Sequence, residues 1–375
     1  MSSDFEALNE GGTPPTPPAP EETGPAATTA ATPEMATTPE IAADDGSGER
    51  SAALLESLPR LYQQLRRAVD TVVVGHGDPI DATFYALLSR GHCLLVGVPG
   101  VGKTLLVRTL GRLLGLPFGR IQFTPDLMPA DITGTEILEE DAATGHRRFV
   151  FNQGPVFTNL LLADEINRTP PKTQAALLEA MQETTVTVAG AVRPLAEPFL
   201  VLATQNPIEQ EGTYPLPEAQ LDRFLFQMRL GYPTLEDERR VVEQHSFRPT
   251  DDLDPVLDQA TVLALRDAVA KIPAAPNVVD YGVRLARATR PDDPSASDDV
   301  RRWVRWGASP RASQMLVLAG RARAACQGRF NVARDDLRAV APWVLRHRLI
   351  RTFEAEADGV DNDAILTRVL EGVAD

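Results

Sequence analysis

A glycine-rich stretch of eight residues constrains this chain more than any other feature. Residues 97–104 read Gly-Val-Pro-Gly-Val-Gly-Lys-Thr, which matches the phosphate-binding pattern G-x-x-x-x-G-K-[ST]. Backbone N–H groups must converge on the phosphate oxygens, and side chains at Gly97 and Gly102 would block that approach. Lys103 places a positive charge on the β- and γ-phosphates, and the Thr104 hydroxyl is a ligand for Mg²⁺. The chain is therefore predicted to bind a nucleotide with its metal.

The residues on either side of this loop predict the strand and the helix that such a loop requires. His92–Val96 is a short apolar run suited to a buried parallel strand, and Leu105–Leu114 has the apolar spacing of a helix. The N-terminal end of that helix points its positive dipole at the phosphates. The alternative is a chance glycine-rich turn, and this context argues against it. The predicted nucleotide contacts are Gly97, Val98, Pro99, Gly100, Val101, Gly102, Lys103, Thr104 and Leu105.

A second apolar run ends in two carboxylates. Leu160–Ala163 predicts a buried strand, and Asp164 and Glu165 follow it directly. Such a strand delivers both carboxylates to the carboxyl edge of a parallel sheet, where ligands bind in folds of this kind. We predict that Asp164 holds Mg²⁺ and that Glu165 orients, or takes a proton from, the water that attacks the γ-phosphate. The alternative is a solvated acidic turn, against which the phosphate-binding loop upstream argues.

Apolar periodicity divides the chain into three predicted parts. Residues 51–232 alternate short apolar runs with helical patterns, which predicts an α/β core with a parallel sheet and helices on both faces. Residues 233–375 show helical patterns only, so we predict an all-helical second domain without strands. Residues 1–50 carry ten acidic side chains and one basic one and are rich in Pro, Ala and Thr, which predicts a disordered acidic tail.

Individual elements follow from the same patterns. A helix is predicted from Leu54, then a short extended segment at Val72–Gly75 and a helix at Asp78–Ser89. The predicted strands are Cys93–Val96, Gly119–Phe123, Leu160–Ala163, Phe199–Thr204 and Phe224–Leu230. The later predicted helices are Leu235–Gln244, Thr261–Lys271, Asn277–Thr289, Ser309–Ala325, Ala333–Leu345 and Asp361–Glu371, with a loop at Arg290–Asp299.

Composition narrows the class of protein. The only two cysteines, Cys93 and Cys326, lie far apart, which excludes a disulfide framework and a cysteine-based zinc site and suits a reducing compartment. We see no signal peptide and no apolar run long enough to span a bilayer, so a cytoplasmic protein without a membrane span is expected. The net charge is −15 and no segment is strongly basic, which makes nucleic-acid binding an unfavoured reading.

Three further polar residues stand where a nucleotide site would need them. Asn206 follows the apolar strand Phe199–Thr204 and would position the attacking water beside Glu165. Arg223 stands at the start of another strand. Arg311 lies in the first turn of a helix, where a cation opposes the helix dipole unless an anion meets it. Taken singly, such arginines are more often solvated or salt-bridged than functional.

These motifs, in this order, resemble those of the AAA+ ATPases and more narrowly those of the MoxR family. The resemblance covers about Leu54–Leu349, nearly all of the chain that is predicted to be ordered. The matching segments are Gly97–Thr104 for Walker A, Leu160–Glu165 with Ile166-Asn167-Arg168 for Walker B, Asn206 for sensor 1, Glu211–Phe224 for a MoxR signature, Asp131–Gly134 and Asn152–Pro155 for linking segments, and Arg311 for sensor 2. Arg223 falls on the arginine finger of the MoxR signature.

The resemblance implies a function and an assembly. It implies Mg²⁺-dependent ATP hydrolysis in a homo-oligomeric ring, commonly a hexamer, with Arg223 reaching a neighbour's γ-phosphate in trans and Arg311 reporting that phosphate to a helical lid. Val73 and Val74 resemble the segment that packs on adenine, whereas His76 replaces a more usual Gln and is assigned no contact to the base. The family also implies a chaperone-like role on partner proteins, often ones with a von Willebrand factor A domain.

The resemblance also implies two insertions, and two alternative functions are weighed against it. By resemblance, Glu136–Phe151 is an insert, with a turn at Asp141–Gly145, and Val186–Leu195 is a hairpin turning at Ala189-Gly190. A nucleic-acid motor would need basic insertions, and apart from His146 these contain only Arg147, Arg148 and Arg193 as basic residues. A scaffold that binds ATP without hydrolysis is the other rival, against which intact Glu165 and Arg223 argue.

Overall fold

The computed structural model describes residues 47–140, 146–207, 212–243 and 252–373. Most of the predicted acidic tail and the predicted turn at Asp141–Gly145 lie outside these residues. Helix α1 begins at Ser47, earlier than the predicted onset near Leu54 and inside the predicted tail. No helix within the described ranges combines the length and the apolar character needed to cross a bilayer.

Helices and strands alternate through the first part of the described chain, and helices dominate the second. The strands are β1 (Cys93–Gly97), β2 (Phe118–Gln122), β3 (Gly134–Glu140), β4 (Arg147–Gln153), β5 (Leu160–Asp164), β6 (Thr185–Val188), β7 (Ala191–Pro194), β8 (Leu200–Gln205), β9 (Phe226–Leu230), β10 (Val304–Trp306) and β11 (Ile350–Arg351). The helices are α1 (Ser47–Asp70), α2 (Gly77–Leu88), α3 (Lys103–Leu113), α4 (Pro129–Thr133), α5 (Pro171–Glu183), α6 (Glu218–Leu221), α7 (Leu235–Glu243), α8 (Gln259–Ala270), α9 (Pro276–Ala288), α10 (Asp298–Trp303), α11 (Pro310–Cys326), α12 (Arg334–Leu345), α13 (Phe353–Ala357) and α14 (Asn362–Gly372).

The central sheet has five parallel strands in the order β2-β5-β8-β1-β9. In its register Gln122 pairs with Asp164, Ala163 with Ala203, and Val96 with Gln205. Because all the strands run the same way, the last residues of β1, β5 and β8 meet at one edge of the sheet. This carboxyl edge carries the phosphate-binding loop and the two predicted carboxylates, as expected for such a sheet.

Both faces of the three inner strands are buried, which explains why β1, β5 and β8 are nearly continuously apolar. Leu160 and Leu162 of β5 belong to a core shared with α1, α2, α3 and the later helices, whereas Leu161 and Ala163 belong to a second core with α5. Alternate residues of one strand therefore serve two cores, as the two-residue period of a strand requires. The prediction of a parallel α/β core with helices on both faces is confirmed.

The helical region, residues 252–373, is called the lid below and contains α8 to α14. The prediction of a helical domain is confirmed, but the expectation of no strands there is wrong in one place. Strands β10 and β11 pair in antiparallel fashion, with Val304 opposite Arg351. Helix α10 also begins at Asp298, inside the predicted loop, because Ser297 accepts a hydrogen bond from the N–H of Val300 and so caps the helix.

Two hairpins project from the core. Strands β3 and β4 pair with Glu136 opposite Phe151, which confirms that the predicted insert is a structural unit. Strands β6 and β7 form the predicted hairpin, whose turn residues Ala189 and Gly190 have φ angles of 50° and 80°. Positive φ at both central residues is the geometry that fits the twist of a two-residue hairpin loop.

The segment after α1 differs from its prediction. Val72 and Val73 donate backbone hydrogen bonds to the carbonyl oxygen of Val69 at 2.9 and 2.8 Å, so the chain turns here instead of extending. Val73 and Val74 are nonetheless buried, at 3% and 7% exposure. A run of valines favours extended backbone, but continuation of the helical hydrogen-bond pattern overrides that preference at a helix end.

Candidate active site

The phosphate-binding loop joins β1 to α3 as predicted. Gly97 is the last residue of β1, and Gly102 precedes the first residue of α3, Lys103. Gly100 and Gly102 have φ angles of 82° and 81°, a region that residues with a side chain adopt rarely. The loop can therefore turn its backbone N–H groups and the start of α3 toward a bound anion.

The glycines of this loop are required for different reasons. A Cβ atom on Gly97 would lie 2.5 Å from the carbonyl oxygen of Leu230, because β1 and β9 approach closely there. A Cβ atom on Gly100 or Gly102 would meet nothing within 4 Å, so that side of the loop is open. Strand packing is therefore a further reason for glycine at position 97, and its contact with phosphate stays a prediction. Gly100 and Gly102 are needed for their backbone conformation.

Lys103 is held under the loop. It is 9% exposed, and its Nζ donates to the carbonyl oxygen of Gly97 at 2.7 Å. Burial lowers the pKa of Lys103, while the charges of Asp164 and Glu165 act to raise it. The structure thus brings the lysine into electrostatic contact with both predicted carboxylates, as a phosphate-binding lysine beside a metal-binding acid would require.

Asp164 closes β5 and is held on both carboxylate oxygens. Thr204 Oγ1 donates to Asp164 Oδ1 at 2.6 Å, and an Arg120 amino group donates to Oδ2 at 2.7 Å. The Asp164 side chain is 13% exposed, so it keeps a surface for a ligand. Thr204 and Arg120 were missed in the sequence, although Thr204 ends an apolar run and Arg120 stands on β2 beside Asp164.

Glu165 adopts an unusual backbone conformation. Its φ is 58°, and its N–H donates to Thr204 Oγ1 at 2.8 Å. Its carboxylate Oε2 accepts from Gln122 Nε2 and from Arg168 Nη1, each at 3.0 Å. A left-handed residue with a bulky side chain is strained and persists where its surroundings fix it, as functional residues are often fixed. Gln122 is a further site residue that sequence reasoning did not select, whereas Arg168 was named as part of the Walker B segment but given no role.

Asn206 joins the same edge of the sheet. It follows the last residue of β8, whose neighbours are β1 and β5, and it is 5% exposed. It therefore lies between the strand that carries the phosphate-binding loop and the strand that carries Glu165. The structure brings together the loop, both carboxylates and Asn206, as the sequence predicted.

The segment predicted to contact adenine reaches the loop through His76. This histidine is 9% exposed, and its Nε2 lies 2.7 Å from the carbonyl oxygen of Val101 in the phosphate-binding loop. Helix α7 closes over the neighbouring residue, since a Cβ atom on Gly75 would lie 3.1 Å from an Asp237 carboxylate oxygen. His76 thus ties the two segments together, a contact that the sequence did not indicate.

The two predicted arginines do not join this edge. Arg223 precedes β9, whose first residue, Phe226, pairs with Cys93 at the start of β1. Arg223 and Arg311 line one cleft of about 280 Å³ together with His92. At about 3.3 Å per residue, a strand of this length separates the two edges of the sheet by about 13 Å or more. The arginines therefore lie at the amino edge, away from the phosphate-binding loop of their own chain.

The residues present fit a nucleoside triphosphate with Mg²⁺. Gly100 and Gly102 leave open space above the loop, and Lys103 lies beneath it. The Thr104 hydroxyl and the Asp164 carboxylate are oxygen donors of the kind that Mg²⁺ prefers when it is bound together with phosphates. No part of this donor set conflicts with the predicted cofactors.

Comparison with known proteins matches both parts of the fold. Residues 92–226 match the family described as "ATPase family associated with various cellular activities (AAA)", and residues 297–369 match the AAA lid domain. The first match contains the phosphate-binding loop, both carboxylates and Asn206. The second covers most of the lid after α9.

Longer similarities run through nearly the whole described chain. Chaperone MoxR1 of Mycobacterium tuberculosis is 45% identical over 332 residues, which covers 88% of this chain and 86% of the relative. Protein MoxR of Paracoccus denitrificans is 33% identical over 77% of this chain and 88% of its own length. A crystal structure of a candidate ATPase from Cytophaga hutchinsonii is 39% identical with a TM-score of 0.80, covering 88% of this chain and 98% of that one. These similarities cover both the core and the lid, and this chain belongs to the MoxR family of AAA+ ATPases and is an ATP-hydrolysing enzyme.

Proposed function

We propose that this chain is a Mg²⁺-dependent ATPase that works as a ring of identical subunits and remodels partner proteins. The observation that carries the proposal is the separation of Arg223 and Arg311 from the phosphate-binding loop of their own chain. An arginine that stabilises transferring phosphate charge must reach that phosphate. In this proposal, another copy of the chain brings the two edges together.

The carboxyl edge supplies the other roles. Lys103 binds the β- and γ-phosphates, and Thr104 and Asp164 would hold Mg²⁺. When bound, the metal neutralises charge on the phosphate oxygens. Glu165 orients the attacking water and accepts its proton, and Asn206 holds that water in place. Val73 and Val74 pack against the adenine, with His76 fixing their segment to the loop.

The two arginines complete a neighbour's site. Because Arg223 and Arg311 line the same cleft, one subunit presents both cations to one partner edge. A contact between two different surfaces of the same protein is head-to-tail and closes into a ring when its rotation permits. We propose a closed hexamer, in which every phosphate-binding loop faces the two arginines of the next subunit.

A chaperone-like role on protein clients is the favoured output. The relative from Mycobacterium tuberculosis bears the name Chaperone MoxR1, and we extend that role to this chain. The two hairpins expose large apolar side chains, a property of surfaces that bind other proteins. Those side chains are Ile137, Leu138, Phe149 and Val192. We propose a client with a von Willebrand factor A domain and action in the cytoplasm, where the unpaired Cys93 and Cys326 would stay reduced.

The same hairpins do not favour a nucleic-acid motor. Arg147 pairs with Glu140 at 3.0 Å, and Arg193 approaches Glu136 at 3.5 Å. Arg148 stands opposite Glu139 in the β3–β4 register. Phosphate binding needs basic groups whose charge is not already neutralised by neighbours. Alternating acids and bases on these strands leave little net positive charge for a nucleic-acid backbone.

Glu165→Gln tests the catalytic assignment. The amide keeps the shape of the side chain but cannot accept a proton, so turnover should fall by about 100-fold or more while ATP binding persists. Steady-state hydrolysis measures the first effect and a fluorescent ATP analogue the second, and chelation of Mg²⁺ should abolish turnover of the unaltered protein. Normal turnover of Glu165→Gln would overturn the assignment.

The same variant tests the client. Because it should stall with ATP bound, Glu165→Gln loaded with Mg²⁺-ATP in a cell lysate should retain a client that an ATP-free control loses. Recovery of a protein with a von Willebrand factor A domain supports the chaperone proposal. Recovery of nuclease-sensitive DNA or RNA, without a protein partner, would contradict it and favour the motor.

A further inference from the structure

One turn of the lid holds the chain segment that precedes and opens β9. The turn is a short 3₁₀ helix, Arg346–Arg348, called the basic turn below, and the segment is Asp222–Gln227. Arg346 Nη1 donates to the last carbonyl oxygen of the segment at 2.8 Å, and His347 Nε2 donates to that of Phe224 at 3.0 Å. Two adjacent side chains of the lid thus donate hydrogen bonds to this one segment of the core.

The third residue of the basic turn makes the most contacts. Arg348 Nε donates to Asp222 Oδ1 at 2.7 Å, and its Nη2 donates to the carbonyl oxygens of Asp222 and Phe224 at 3.0 and 2.7 Å. The bonded carbonyl groups lie immediately before and after Arg223 in the chain. A guanidinium is a planar fork of donors, so these bonds fix the backbone on both sides of Arg223 at once.

Stability alone does not explain a charge at this position. The Arg348 side chain is 2% exposed, and burial lowers its pKa to about 10 in spite of the Asp222 charge beside it. It remains protonated at neutral pH. Buried ion pairs often contribute no more to stability than well-packed apolar residues of the same size. What the pair does provide is a defined geometry for the residues that it touches.

Asp222 also reaches the helix that carries Arg311. Ser309 Oγ donates to Asp222 Oδ2 at 3.1 Å, while Arg348 occupies the other carboxylate oxygen. Ser309 is the residue before α11, and Arg311 stands in the first turn of that helix. One carboxylate therefore links the backbone beside Arg223, the start of α11 and the basic turn.

We propose that Arg348 and Asp222 form a clamp that positions Arg223 and Arg311 as one unit for the neighbouring subunit's phosphate. Arg348 is a positioning residue, since it acts through the residues that it holds. The inference rests on the proposed function, in which both arginines work in trans. It predicts that loss of the clamp impairs the site of the next subunit and leaves the phosphate-binding loop of the altered subunit intact.

Arg348→Met tests this prediction. Misplacement of a catalytic group by about 1 Å can slow a reaction by about 100-fold, so kcat should fall by roughly 10- to 100-fold while the Kd for a fluorescent ATP analogue stays within roughly twofold. Arg348→Lys keeps the positive charge but loses the planar fork of donors, so its kcat should lie between those of Arg348→Met and the unaltered protein. Arg323→Met is the matched control, because it breaks another ion pair of the lid, with Asp336 at 2.6 Å. It should lower the stability of the lid but leave the kcat of the folded protein nearly unchanged.

Mixed rings separate positioning from damage within the altered subunit. Arg348→Met and Lys103→Ala subunits are co-expressed with different tags and purified on both. In such rings an intact loop on the Arg348→Met subunit faces intact arginines on the Lys103→Ala subunit. The ATP turnover of these mixed rings should therefore exceed the summed turnover of the two variants measured separately by several-fold. Rings that mix Arg223→Ala with Lys103→Ala subunits should show the same recovery. If Arg348→Met fails to fold, Asp222→Asn removes the same ion pair and takes its place.

The possible outcomes distinguish the clamp proposal from the proposal of catalysis in trans. Recovery with Arg223→Ala but not with Arg348→Met or Asp222→Asn would overturn the clamp and leave trans catalysis standing. No recovery with Arg223→Ala would overturn trans catalysis and the clamp with it. We expect turnover to recover in both mixtures and the kcat of Arg323→Met to be nearly normal.

Discussion

Glycine is required at three positions of the phosphate-binding loop for two different physical reasons. Gly100 and Gly102 hold positive φ angles over open space, where a side chain would strain the backbone without touching a neighbour. Gly97 has ordinary backbone angles but faces the carbonyl oxygen of Leu230. The sequence pattern alone does not separate these demands, because both are met by the same residue.

Gly97→Ala should destabilise the fold through this contact. The added Cβ would lie 2.5 Å from the Leu230 carbonyl oxygen, and overpacking of this kind costs about 1–3 kcal/mol. Urea unfolding measures the loss. Gly231→Ala is the control, because a Cβ atom there meets nothing within 4 Å. Equal stability of the two variants would show that β1 and β9 can separate without cost.

The residues around the carboxylates show where sequence reasoning stops. Asp164 and Glu165 were found because they end an apolar run, and Asn206 because it follows another. Arg120 and Gln122 lie on β2, which reaches the site only because β2 is the neighbour of β5 in the sheet. Strand order is set by tertiary packing, so local pattern gives no sign of these two partners.

At the scale of elements, the existence of strands and helices was easier to predict than their ends. Every predicted core strand is present. The three inner strands β1, β5 and β8 are nearly continuously apolar because both of their faces are buried, whereas the edge strands β2 and β9 also carry polar residues. The ends are decided by hydrogen bonds that apolarity does not reveal. Phe224 is buried like a strand residue, but its carbonyl oxygen is taken by Arg348, and β9 begins only at Phe226. The short pair β10–β11 was missed because its strands lie far apart in sequence.

A buried carboxylate organises the lid from the start of α12. Asp336 is fully buried and accepts from Arg323 Nη1 at 2.6 Å, from Arg329, and from the N–H of Ala333 at 2.9 Å. Burial acts to raise the pKa of Asp336, but these hydrogen bonds outweigh it and the pKa is lowered. The ionised carboxylate thus joins α11, the following turn and α12.

Asp336→Asn should therefore weaken the lid. Asp336 is the buried member of these ion pairs, and the arginines that lose it are 23% and 34% exposed, so the cost is about 1–3 kcal/mol. Because the folded pKa is lowered, this stabilisation is present above the unfolded pKa of about 3.9 and is lost as the pH falls through the folded value. Urea unfolding at neutral pH measures the loss. Asp335→Asn, on the exposed side of the same helix turn, is the control, and equal effects would contradict this role for Asp336.

At the scale of the whole molecule, the two edges of the sheet carry the two sets of residues that we propose to form one reaction site. The carboxyl edge has the loop, the carboxylates and Asn206, and the amino edge has Arg223 and Arg311. The sequence identifies all of these residues by their motifs. Only the fold places the two sets at opposite edges of the sheet, because their positions depend on strand direction. The proposed division at residues 50 and 232 stays a prediction.

Removal of residues 1–46 should leave hydrolysis nearly unchanged. Every residue assigned a role in the reaction lies within the described chain that begins with α1 at Ser47. The rate per subunit and the KM for ATP of the shortened protein are compared with those of the full chain under the same conditions. A large loss of kcat would show that the acidic N-terminal segment takes part in assembly or catalysis.

A mixture of two inactive subunits tests most directly whether a neighbouring copy completes the site. Lys103→Ala removes phosphate binding at the carboxyl edge, and Arg223→Ala removes the arginine at the amino edge. If each site is built from two chains, doubly purified mixed assemblies should hydrolyse Mg²⁺-ATP far faster than either variant alone. Mixed assemblies no faster than the sum of their parts would contradict the claim that a neighbouring copy completes the site.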